Sequence, residues 1–285
     1  MTTLLSLIGE QPIPVLLADR ALRPQRHLLA HSAETRPVAE RLAALLPHAE
    51  LLPLADPYDL AAIQAAFEQV HRPGMTFNLT SGTKPMAWAG YEVARGHQAR
   101  IVYLQSEKKQ SRLHQIDFRE GRTQQKDEIL PGLLTLEDYL AAHGLRIESR
   151  LSFSNAQEVA LHKAIEPLVD ECLPNLKFPA FEVDFLIRRG NQVAAIEAKD
   201  RQKSRRFGID QLTTIAGREY LGAYTGRIWV VKNPPGDNLR ELAQAYRIEV
   251  VPVTIEDHNT GRWRLTGPSC RALAAALDRV LGPAG

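Results

Sequence analysis

Two acidic residues and a lysine in the second half of the chain have a spacing that could hold a metal ion. Residues 182–199 contain two runs of strand-forming residues on either side of Gly190-Asn191, a dipeptide favoured in two-residue hairpin turns. Counting outward from such a turn places Asp184 directly across from Glu197, and Lys199 shares their face because side chains alternate along a strand. Carboxylates that face each other repel, so either one is protonated or a cation lies between them. Two hard oxygen ligands suit Mg²⁺ or Mn²⁺, and with a nearby lysine they are parts that metal-assisted phosphodiester hydrolysis requires.

A third carboxylate could join this pair from a helix. Residues 154–171 are predicted to form a helix that begins with a capping box, in which Ser154 is the N-cap and Gln157 the N3 residue. Glu158 lies three residues before Leu161 and therefore shares the apolar face of this helix. A carboxylate on a buried face needs a partner, and the metal ion is one candidate. The alternative is that Glu158 is a first-turn acid that stabilises the helix dipole.

A basic segment follows the second strand of the hairpin. Its four cationic residues are Arg201, Lys203, Arg205 and Arg206. Such a cluster could bind a nucleic-acid backbone, and the helix predicted over 207–221 carries Gln211 in its first turn. Each signal also has a purely structural interpretation. Two acids can face each other in a surface hairpin, a basic run is more often a solvated loop, and one glutamine has little specificity.

Short strands alternate with helices in the first half of the chain. The predicted strands are residues 3–8, 27–31, 51–54, 76–80 and 101–104, and the predicted helices include 35–46, 56–70 and 84–95. In the second of these helices Asp56 is the predicted N-cap, and Pro57 occupies the first helical position, where its missing N–H costs nothing. This alternation predicts a parallel, doubly wound α/β sheet.

Ligands bind at the carboxyl ends of the strands in sheets of this kind, so the segments that follow the strands are candidate ligand loops. They contain Gly9, Gln11 and Pro12 after the first strand, Ser32 and Thr35 after the second, and Thr80, Ser81, Gly82, Thr83 and Lys84 after the fourth. Free N–H groups at a helix N-terminus favour an anion, and Lys84 adds a positive charge, so we expect a phosphate or ribose-phosphate site. The alternative is an ordinary turn with a capping hydroxyl. The sequence has neither a Walker A loop nor a dinucleotide-binding glycine motif.

The pattern is looser between residues 107 and 150. A strand over 112–118, a turn or loop over 121–127 and a helix over 133–143 are predicted, and the domains are placed at 1–147 and 148–285. Beyond the hairpin, strands are predicted at 227–232 and 249–254 and helices at 239–246 and 271–281. The histidines show no metal-ligand spacing and are interpreted as structural or surface residues. The tryptophans, Trp88, Trp229 and Trp263, are interpreted as packing residues.

Composition excludes several classes of protein. Apolar residues make up 44% and charged residues 24% of the 285, which is typical of a globular protein, and the net charge of +2 excludes a strongly basic coat. Two distant cysteines do not form a disulfide framework and are typical of a reducing compartment. No signal peptide and no stretch of about 20 apolar residues is present, so we expect a cytoplasmic protein without a membrane partner.

Asp184 with Glu197-Ala198-Lys199 resembles the PD-(D/E)xK signature of restriction-endonuclease-like nucleases. Glu158 lies where that superfamily has its first-helix acid, and Gln211 lies where a glutamine of the following helix often occurs. The chain departs from the signature at Glu182-Val183, which replace the proline that precedes the aspartate.

Residues 80–87 (Thr-Ser-Gly-Thr-Lys-Pro-Met-Ala) resemble the Thr-Gly-Gly-Thr-Lys-x-Met-Ala stretch of CARF domains, the Rossmann-like domains that sense cyclic oligoadenylates. The loops after the first two predicted strands also look like the ligand loops of that domain. Together the two halves of the chain resemble the Card/Can ancillary nucleases of type III CRISPR defence.

This resemblance implies a homodimer that binds one cyclic oligoadenylate, foremost cyclic tetra-adenylate, around Ser81–Lys84. Ligand binding would favour a dimer state that cleaves DNA or RNA with Mn²⁺ or Mg²⁺. By the same resemblance Asp184 and Glu197 hold the metal, Glu158 is a third carboxylate, Lys199 assists the nucleophile or transition state, and Gln211 supports the site. Two alternatives remain open: a sensing regulator without catalysis, and an enzyme that degrades its own cyclic ligand.

Overall fold

A computed structural model describes residues 2–107, 109–119, 122–153, 155–199, 205–217, 220–257 and 263–283. Only the backbone is described at residues 107, 119, 199 and 205–207. The chain forms two compact units, Met1–Leu134 with Ala141–Gly144 and Thr135–Leu140 with Leu145–Gly285. Each unit combines a sheet with helices, which confirms the predicted α/β class. Within the described ranges, every helix is too short or too polar to cross a membrane.

The first unit contains a seven-stranded sheet with the order β3-β2-β1-β4-β5-β6-β7. Its strands are β1 (Thr3–Leu7), β2 (Arg26–His31), β3 (Ala49–Pro53), β4 (Thr76–Asn78), β5 (Arg100–Glu107), β6 (Gln110–Arg119) and β7 (Arg122–Ile129). Its helices are α1 (Ile13–Leu22), α2 (Arg36–Leu45), α3 (Leu60–Val70) and α4 (Lys84–Gly96). Strands β1 to β5 are parallel, and β6 and β7 extend the sheet in antiparallel fashion. The order changes direction between β1 and β4.

Different helices cover the two faces of this sheet. Strand β1 is buried along its whole length. Leu4 packs in a cluster with Val15 of α1 and Leu42 of α2. Leu5 points to the opposite face, because successive strand residues alternate, and it packs in a second cluster with Phe67 of α3. A parallel sheet with helices on both faces confirms the doubly wound prediction.

Helix α3 begins later than the sequence pattern predicts. The prediction that Asp56 is its N-cap is wrong, because the helix begins at Leu60 and Asp59 is the N-cap. The Asp59 carboxylate accepts the Ala62 N–H at 3.0 Å, whereas the Asp56 carboxylate accepts the Tyr58 N–H at 2.8 Å in the preceding turn. Aspartate is a favoured N-cap residue at either position, and Asp59 is the N-cap because it directly precedes Leu60, the first residue of the helix.

Strand β7 corrects the predicted turn or loop over 121–127. Arg122–Ile129 form a strand that pairs antiparallel with β6, from Arg112↔Ile129 to Arg119↔Arg122. Every residue of the strand is exposed, so its sequence lacks the alternation of apolar and polar residues that predicts a strand. The strand therefore forms through backbone pairing at the edge of the sheet.

Trp88 is also predicted incorrectly. Its side chain is 63% exposed on α4, whereas Met86, Ala89 and Val93 of the same helix are buried. Trp88 lies outside this buried stripe, so it is not a core packing residue. Trp229, in the second unit, is fully buried as predicted.

The second unit contains a six-stranded sheet with the order β13-β12-β11-β10-β9-β8 and a small two-stranded sheet, β14-β15. Its strands are β8 (Ser149–Arg150), β9 (Glu171–Lys177), β10 (Glu182–Arg189), β11 (Gln192–Lys199), β12 (Gly226–Val231), β13 (Glu249–Pro252), β14 (Ile255–Asp257) and β15 (Trp263–Leu265). Its helices are α5 (Leu136–Ala142), α6 (Ala156–Ile165), α7 (Arg205–Ile215), α8 (Asp237–Ala245) and α9 (Gly267–Leu281). Helices α6 and α9 pack on one face of the larger sheet through Leu161, Leu273, Phe185 and Ile196.

Helix α6 is shorter than predicted at its C-terminal end. It ends at Ile165, a single 3-10 turn follows over Glu166–Leu168, and β9 begins at Glu171 where the helix was expected to continue. Pro167 explains this end, because proline cannot donate the N–H that continues a helix. The predicted cap is also wrong: Asn155 is the N-cap and accepts the Glu158 N–H at 3.0 Å. Ser154 lies outside the described residues.

A buried arginine connects the end of the β10–β11 hairpin to the last helix. Arg189 is 7% exposed, and its guanidinium donates to the Leu168 carbonyl at 2.6 Å, the Gly282 carbonyl at 2.6 Å and the Asp278 carboxylate at 2.6 Å. The turn after α6, β10 and the end of α9 thus meet at one side chain. These groups would lose their partners if the guanidinium were removed.

Arg189→Met is expected to lower the free energy of unfolding by about 3 kcal/mol, because buried carbonyl oxygens lose their donors while the side-chain stem is kept. The measurement is urea unfolding followed by circular dichroism. Arg279→Met is the matched control, since Arg279 pairs with Glu249 at the surface and such a pair contributes about 0–1 kcal/mol. Equal losses for the two variants would contradict the role of Arg189.

Candidate active site and ligand crevice

The hairpin of β10 and β11 has the predicted register. Arg189 pairs with Gln192 and Phe185 pairs with Ile196, with Gly190-Asn191 as the turn. Gly190 has a φ of 59°, a conformation that glycine adopts without strain. The paired residues end at Phe185 and Ile196, and continuing this register by one residue would place Asp184 across from Glu197, as the sequence spacing predicts.

The two acids have different environments. Glu197 is fully buried, and its neighbour on β12 in the parallel register is Trp229, which is also fully buried. Gly208 of α7 lies against the indole, since a Cβ at Gly208 would be 2.8 Å from Trp229 Nε1. Asp184 is half-buried, and its Oδ2 accepts the Ala198 N–H at 2.6 Å. Helix α7 thus covers the face that carries the acids, and a backbone donor fixes one of them.

Glu158 is positioned by two asparagine side chains. It is 7% exposed near the start of α6, and it accepts from Asn155 Nδ2 at 2.8 Å and from Asn175 Nδ2 at 3.2 Å. The β9–β10 register pairs Val183 with Leu176 on one side of Asn175, which places Asn175 across from Asp184. Asn175 therefore lies between the third acid and the acid pair. Its φ of 49° is a left-handed conformation that asparagine tolerates better than most residues.

Sequence reasoning missed Asn175 because the predicted helix is placed at 154–171 and no element is assigned to the residues that follow it. Asn175 comes near the acids only because β9 pairs with β10. Asparagine at a left-handed position is a weak signal of a turn or bulge, and nothing nearby in the sequence connects it to Glu158, 17 residues earlier. This partner is set by tertiary structure.

Gln211 lies in α7 and reaches the start of β10. Its Nε2 donates to the Glu182 carbonyl at 2.9 Å, and its Oε1 is buried without a hydrogen-bond partner in the part of the chain that is described. The sequence predicts Gln211 in the first turn of this helix. That prediction is wrong, because α7 begins at Arg205 and Gln211 therefore lies in its second turn. A buried amide oxygen without a donor is unusual and marks a place where water or a ligand group could bind.

The remaining predicted residues of this site are described only in part. The backbone of Lys199 ends β11 and pairs with Val231 of β12. Arg205 and Arg206 begin α7. Arg201 and Lys203 lie outside the described residues, so the predicted nucleic-acid contacts stay a prediction.

The donors at this site fit a hard divalent cation. Asp184 and Glu197 supply carboxylate oxygens from adjacent strands, and Mg²⁺ and Mn²⁺ prefer oxygen ligands. Burying an ionised carboxylate as deeply as Glu197 is costly unless a positive charge neutralises it. Glu158 has both oxygens engaged by asparagine amides, those of Asn155 and Asn175.

The predicted ligand loops of the first unit meet at the carboxyl ends of β1 and β4. A Cβ at Gly9 would lie 3.1 Å from the Gly82 nitrogen and 3.4 Å from Ser81 Cβ. Gly82 has a φ of 79°, and a Cβ there would lie 2.9 Å from Leu7 Cβ. The two loops therefore touch where the strand order changes direction, which is the usual ligand crevice of a doubly wound sheet.

Several hydroxyl groups in these loops are used to build the turns. Thr83 is the N-cap of α4, where its Oγ1 accepts the Met86 N–H at 3.3 Å and donates to the Pro57 carbonyl at 2.7 Å. Ser32 and Thr35 bond to each other, with the Ser32 N–H 3.1 Å from Thr35 Oγ1. The capping interpretation therefore holds for Thr83, whereas Thr35 at the N-cap of α2 makes no side-chain capping bond.

The other predicted loop residues lie around the same crevice. Pro12 is buried at the N-cap of α1, and Gln11 before it is half-buried. Thr80 is half-buried and bonds within the sheet, with the Leu104 N–H 2.8 Å from its Oγ1. Lys84 is exposed at the first position of α4, and Ser81 is half-buried. Lys84 and the first N–H groups of α4 are thus the positive features of this edge.

Three side chains elsewhere in the first unit also converge. Asp19, His27 and His48 have donor atoms within 4.8 Å of one another, and they form the group with metal-ligand chemistry that is found among the described residues. Their positions on α1, on β2 and before β3 are far apart in sequence, so spacing along the chain gives no signal of this group.

Comparisons with known proteins place this fold. No family model and no curated protein matches the chain. Can2 from Sulfobacillus thermosulfidooxidans, solved in complex with cyclic tetra-adenylate, is 14% identical with a TM-score of 0.75 over 99% of both chains. The VC1899 protein of Vibrio cholerae is 13% identical with a TM-score of 0.75 over 99% of both chains.

A type III CRISPR defence DNA nuclease activated by cyclic oligoadenylate is 18% identical with a TM-score of 0.61. That match covers 97% of this chain but only 51% of the nuclease. At these identities the similarity is one of fold. The first unit therefore has a CARF-type fold and a second α/β unit accompanies it in the chain, which confirms the fold that the sequence resemblance implied.

Proposed function

We propose that this protein is a metal-dependent nuclease that a cyclic oligoadenylate activates in type III CRISPR defence. The observation that carries the proposal is the register of the β10–β11 hairpin, which, continued by one residue, puts Asp184 opposite a fully buried Glu197. A folding protein gains nothing from two opposed acids, so the pair is best explained by a cation. Can2, which shares the fold, was solved with cyclic tetra-adenylate.

Each residue of the acid site has a role in this proposal. Asp184 and Glu197 hold Mg²⁺ or Mn²⁺, and Glu158 contacts a water of the ion because its own oxygens are engaged by asparagines. Such an ion, when bound, polarises the phosphate and lowers the pKa of a bound water. By the family resemblance, Lys199 is assigned the role of countering the negative charge that develops on the phosphate. Gln211 offers its buried Oε1 to a water or to the substrate.

The crevice of the first unit is the proposed activator site. The loops at Gly9 and Gly82 touch at the strand ends, α4 begins at Lys84 directly after the second loop, and Lys84 is exposed. Phosphodiester groups of a cyclic tetra-adenylate suit a helix N-terminus and a lysine. By analogy with the family that the sequence resembles, the active form is a homodimer with one ligand on its two-fold axis, and it cleaves DNA or RNA.

The decisive experiment is a cleavage assay with two substrates. Purified protein and Mn²⁺ are incubated with labelled plasmid and labelled RNA, with and without cyclic tetra-adenylate, and separately with labelled cyclic tetra-adenylate alone. Cleavage of nucleic acid that requires both metal and ligand supports the proposal. Loss of the labelled ring without nucleic-acid cleavage identifies a ring-degrading enzyme, and tight ligand binding without any cleavage identifies a sensing regulator.

Lys84→Gln is expected to weaken binding of cyclic tetra-adenylate about 10-fold, because one charge-assisted contact to a phosphate is lost. Isothermal titration calorimetry measures the effect. Lys126→Gln is the matched control, since it removes the same charge from β7, at the edge of the same sheet and away from β1 and β4. Equal affinities of the two variants would remove Lys84 from the ligand site.

A further inference from the structure

A continuous chain of buried polar side chains crosses the first unit and is not used by the proposed nuclease site. It starts at Asp19 on α1, whose Oδ2 lies 2.9 Å from His27 Nδ1 and 2.7 Å from His48 Nε2. His27 Nε2 lies 2.8 Å from the Ser6 hydroxyl on β1, and Asn78 Nδ2 of β4 donates to that hydroxyl at 3.1 Å. Ser6, His27 and Asn78 are each at most 1% exposed.

The chain ends in the ligand crevice. Asn78 Oδ1 accepts from the Thr80 hydroxyl at 2.5 Å and from the Thr80 N–H at 3.2 Å. The Thr80 hydroxyl in turn accepts the Leu104 N–H of β5. Thr80 directly precedes the loop at Ser81 and Gly82, which touches Gly9. The position of this loop is therefore set by which end of the Asn78 amide faces Thr80.

The direction of every hydrogen bond follows from Asp19. Burial raises the pKa of the Asp19 carboxyl, but hydrogen bonds from His27 and His48 outweigh it, so the pKa lies below its usual value and the group is ionised at neutral pH. Burial lowers the pKa of His27, which is neutral there and donates its one proton from Nδ1 to Asp19. His27 Nε2 must then accept from the Ser6 hydroxyl.

The same reasoning determines the orientation of the Asn78 side-chain amide. Because the Ser6 hydrogen points to His27, the Ser6 oxygen is left as an acceptor, and the Asn78 amide must present its NH₂ group to it. Oδ1 of Asn78 then faces Thr80 as an acceptor for two hydrogens. The hydrogen bonds from Asp19 through His27, Ser6 and Asn78 to Thr80 are therefore consistent with one direction only.

We propose that Asp19 and His27 are positioning residues for the activator site, because they orient the Asn78 amide and so hold the Thr80 turn in its ligand-binding form. This inference rests on the proposed function for its ligand, but the hydrogen-bond order is a property of the chain itself. The competing interpretation is that Asp19, His27 and His48 bind a transition metal such as Zn²⁺. The distances of 2.7 and 2.9 Å are those of hydrogen bonds, and they favour the ordered chain.

The first test reverses the chain without altering its contacts to Thr80. Asn78→Asp keeps an oxygen toward Thr80 and replaces the NH₂ group that faces Ser6 with a second acceptor. The Ser6 hydrogen is then drawn to Asp, and His27 must protonate Nε2 to keep its bond. NMR of the full-length protein is expected to show the His27 titration moved upward by about one pH unit or more. An unchanged His27 titration would overturn the proposed order, and so would stoichiometric binding of Zn²⁺ by the wild type that His48→Gln abolishes.

The second test cuts the chain in the middle. Ser6→Ala removes the one atom that joins His27 to Asn78 and changes no charge, and it is expected to weaken cyclic tetra-adenylate binding about 10-fold or more, as loss of a supporting hydrogen bond commonly does. His48→Gln is the matched control and is expected to bind within about two-fold of wild type, because its amide still donates to Asp19. Wild-type affinity in Ser6→Ala would remove the positioning role. Failure of the wild type to bind the ligand would instead refute the proposed function, and the NMR test would still decide the order of the chain.

Discussion

Glu197→Gln is expected to reduce cleavage of nucleic acid by about 10³-fold or more, which corresponds to about 4 kcal/mol of transition-state stabilisation. The substitution keeps the size of the side chain and removes its charge, so the buried position next to Trp229 remains filled. What is lost is one of the two carboxylates that would hold the ion. Asp184→Asn is expected to have the same effect, because the ion needs both oxygens.

A second readout separates loss of the ion from loss of the fold. In the wild type, Mn²⁺ is expected to raise the thermal unfolding midpoint, since a ligand that binds only the folded state stabilises it. Glu197→Gln is expected to lose this rise while it retains wild-type affinity for cyclic tetra-adenylate, whose proposed site lies in the other unit. Asp237→Asn, an exposed acid in the first turn of α8, is the control and is expected to behave as wild type.

The catalytic assignment would be wrong if Glu197→Gln cleaved at the wild-type rate. It would also be wrong if the variant kept the full stabilisation by Mn²⁺, because the ion would then be bound elsewhere. A variant that lost both cleavage and ligand binding would indicate a general folding defect and contradict the independence of the two sites.

The acid pair could be predicted because its geometry is local. The register of a two-residue hairpin follows from the position of its turn, so Gly190-Asn191 predicts that Asp184 faces Glu197, and the register is confirmed as far as Phe185 and Ile196. The doubly wound sheet of the first unit could also be predicted from the sequence, since each strand and helix has its own periodic pattern. Local sequence patterns gave a wrong prediction where two residues are both suited to one role. Asp56 and Asp59, for example, are both suited to the N-cap of α3.

The partners of the acids could not be predicted because they depend on strands that pair at long range. Asn175 lies beside Asp184 only because β9 pairs with β10, and Pro174 within that strand argues against a strand on sequence grounds. The polar chain from Asp19 to Thr80 is of the same kind, since its members come from α1 and three different strands or their ends. Sequence spacing shows which residues share an element, whereas these contacts join elements.

Gly82→Ala is expected to destabilise the first unit by about 3 kcal/mol and to weaken cyclic tetra-adenylate binding about 100-fold. Two costs add. A φ of 79° is unfavourable for any residue with a Cβ, by about 1–2 kcal/mol, and the new Cβ would lie 2.9 Å from Leu7 Cβ in a strand that is fully buried. Leu7 cannot retreat from the core, so the loop must move, and with it the contact to Gly9.

Gly74→Ala separates these two costs. Gly74 has nearly the same φ, 81°, but a Cβ there meets no atom within 4 Å, so only the conformational cost of about 1–2 kcal/mol is expected. Thermal unfolding measures the stability of both variants, and calorimetric titration measures their ligand affinity. The extra loss in Gly82→Ala is the part caused by steric crowding. If the two variants lose the same stability, Gly82 is not pressed against β1. If Gly82→Ala loses stability but binds the ligand as the wild type does, the activator site does not lie where β1 and β4 diverge, and the crevice must be sought at another edge of the sheet.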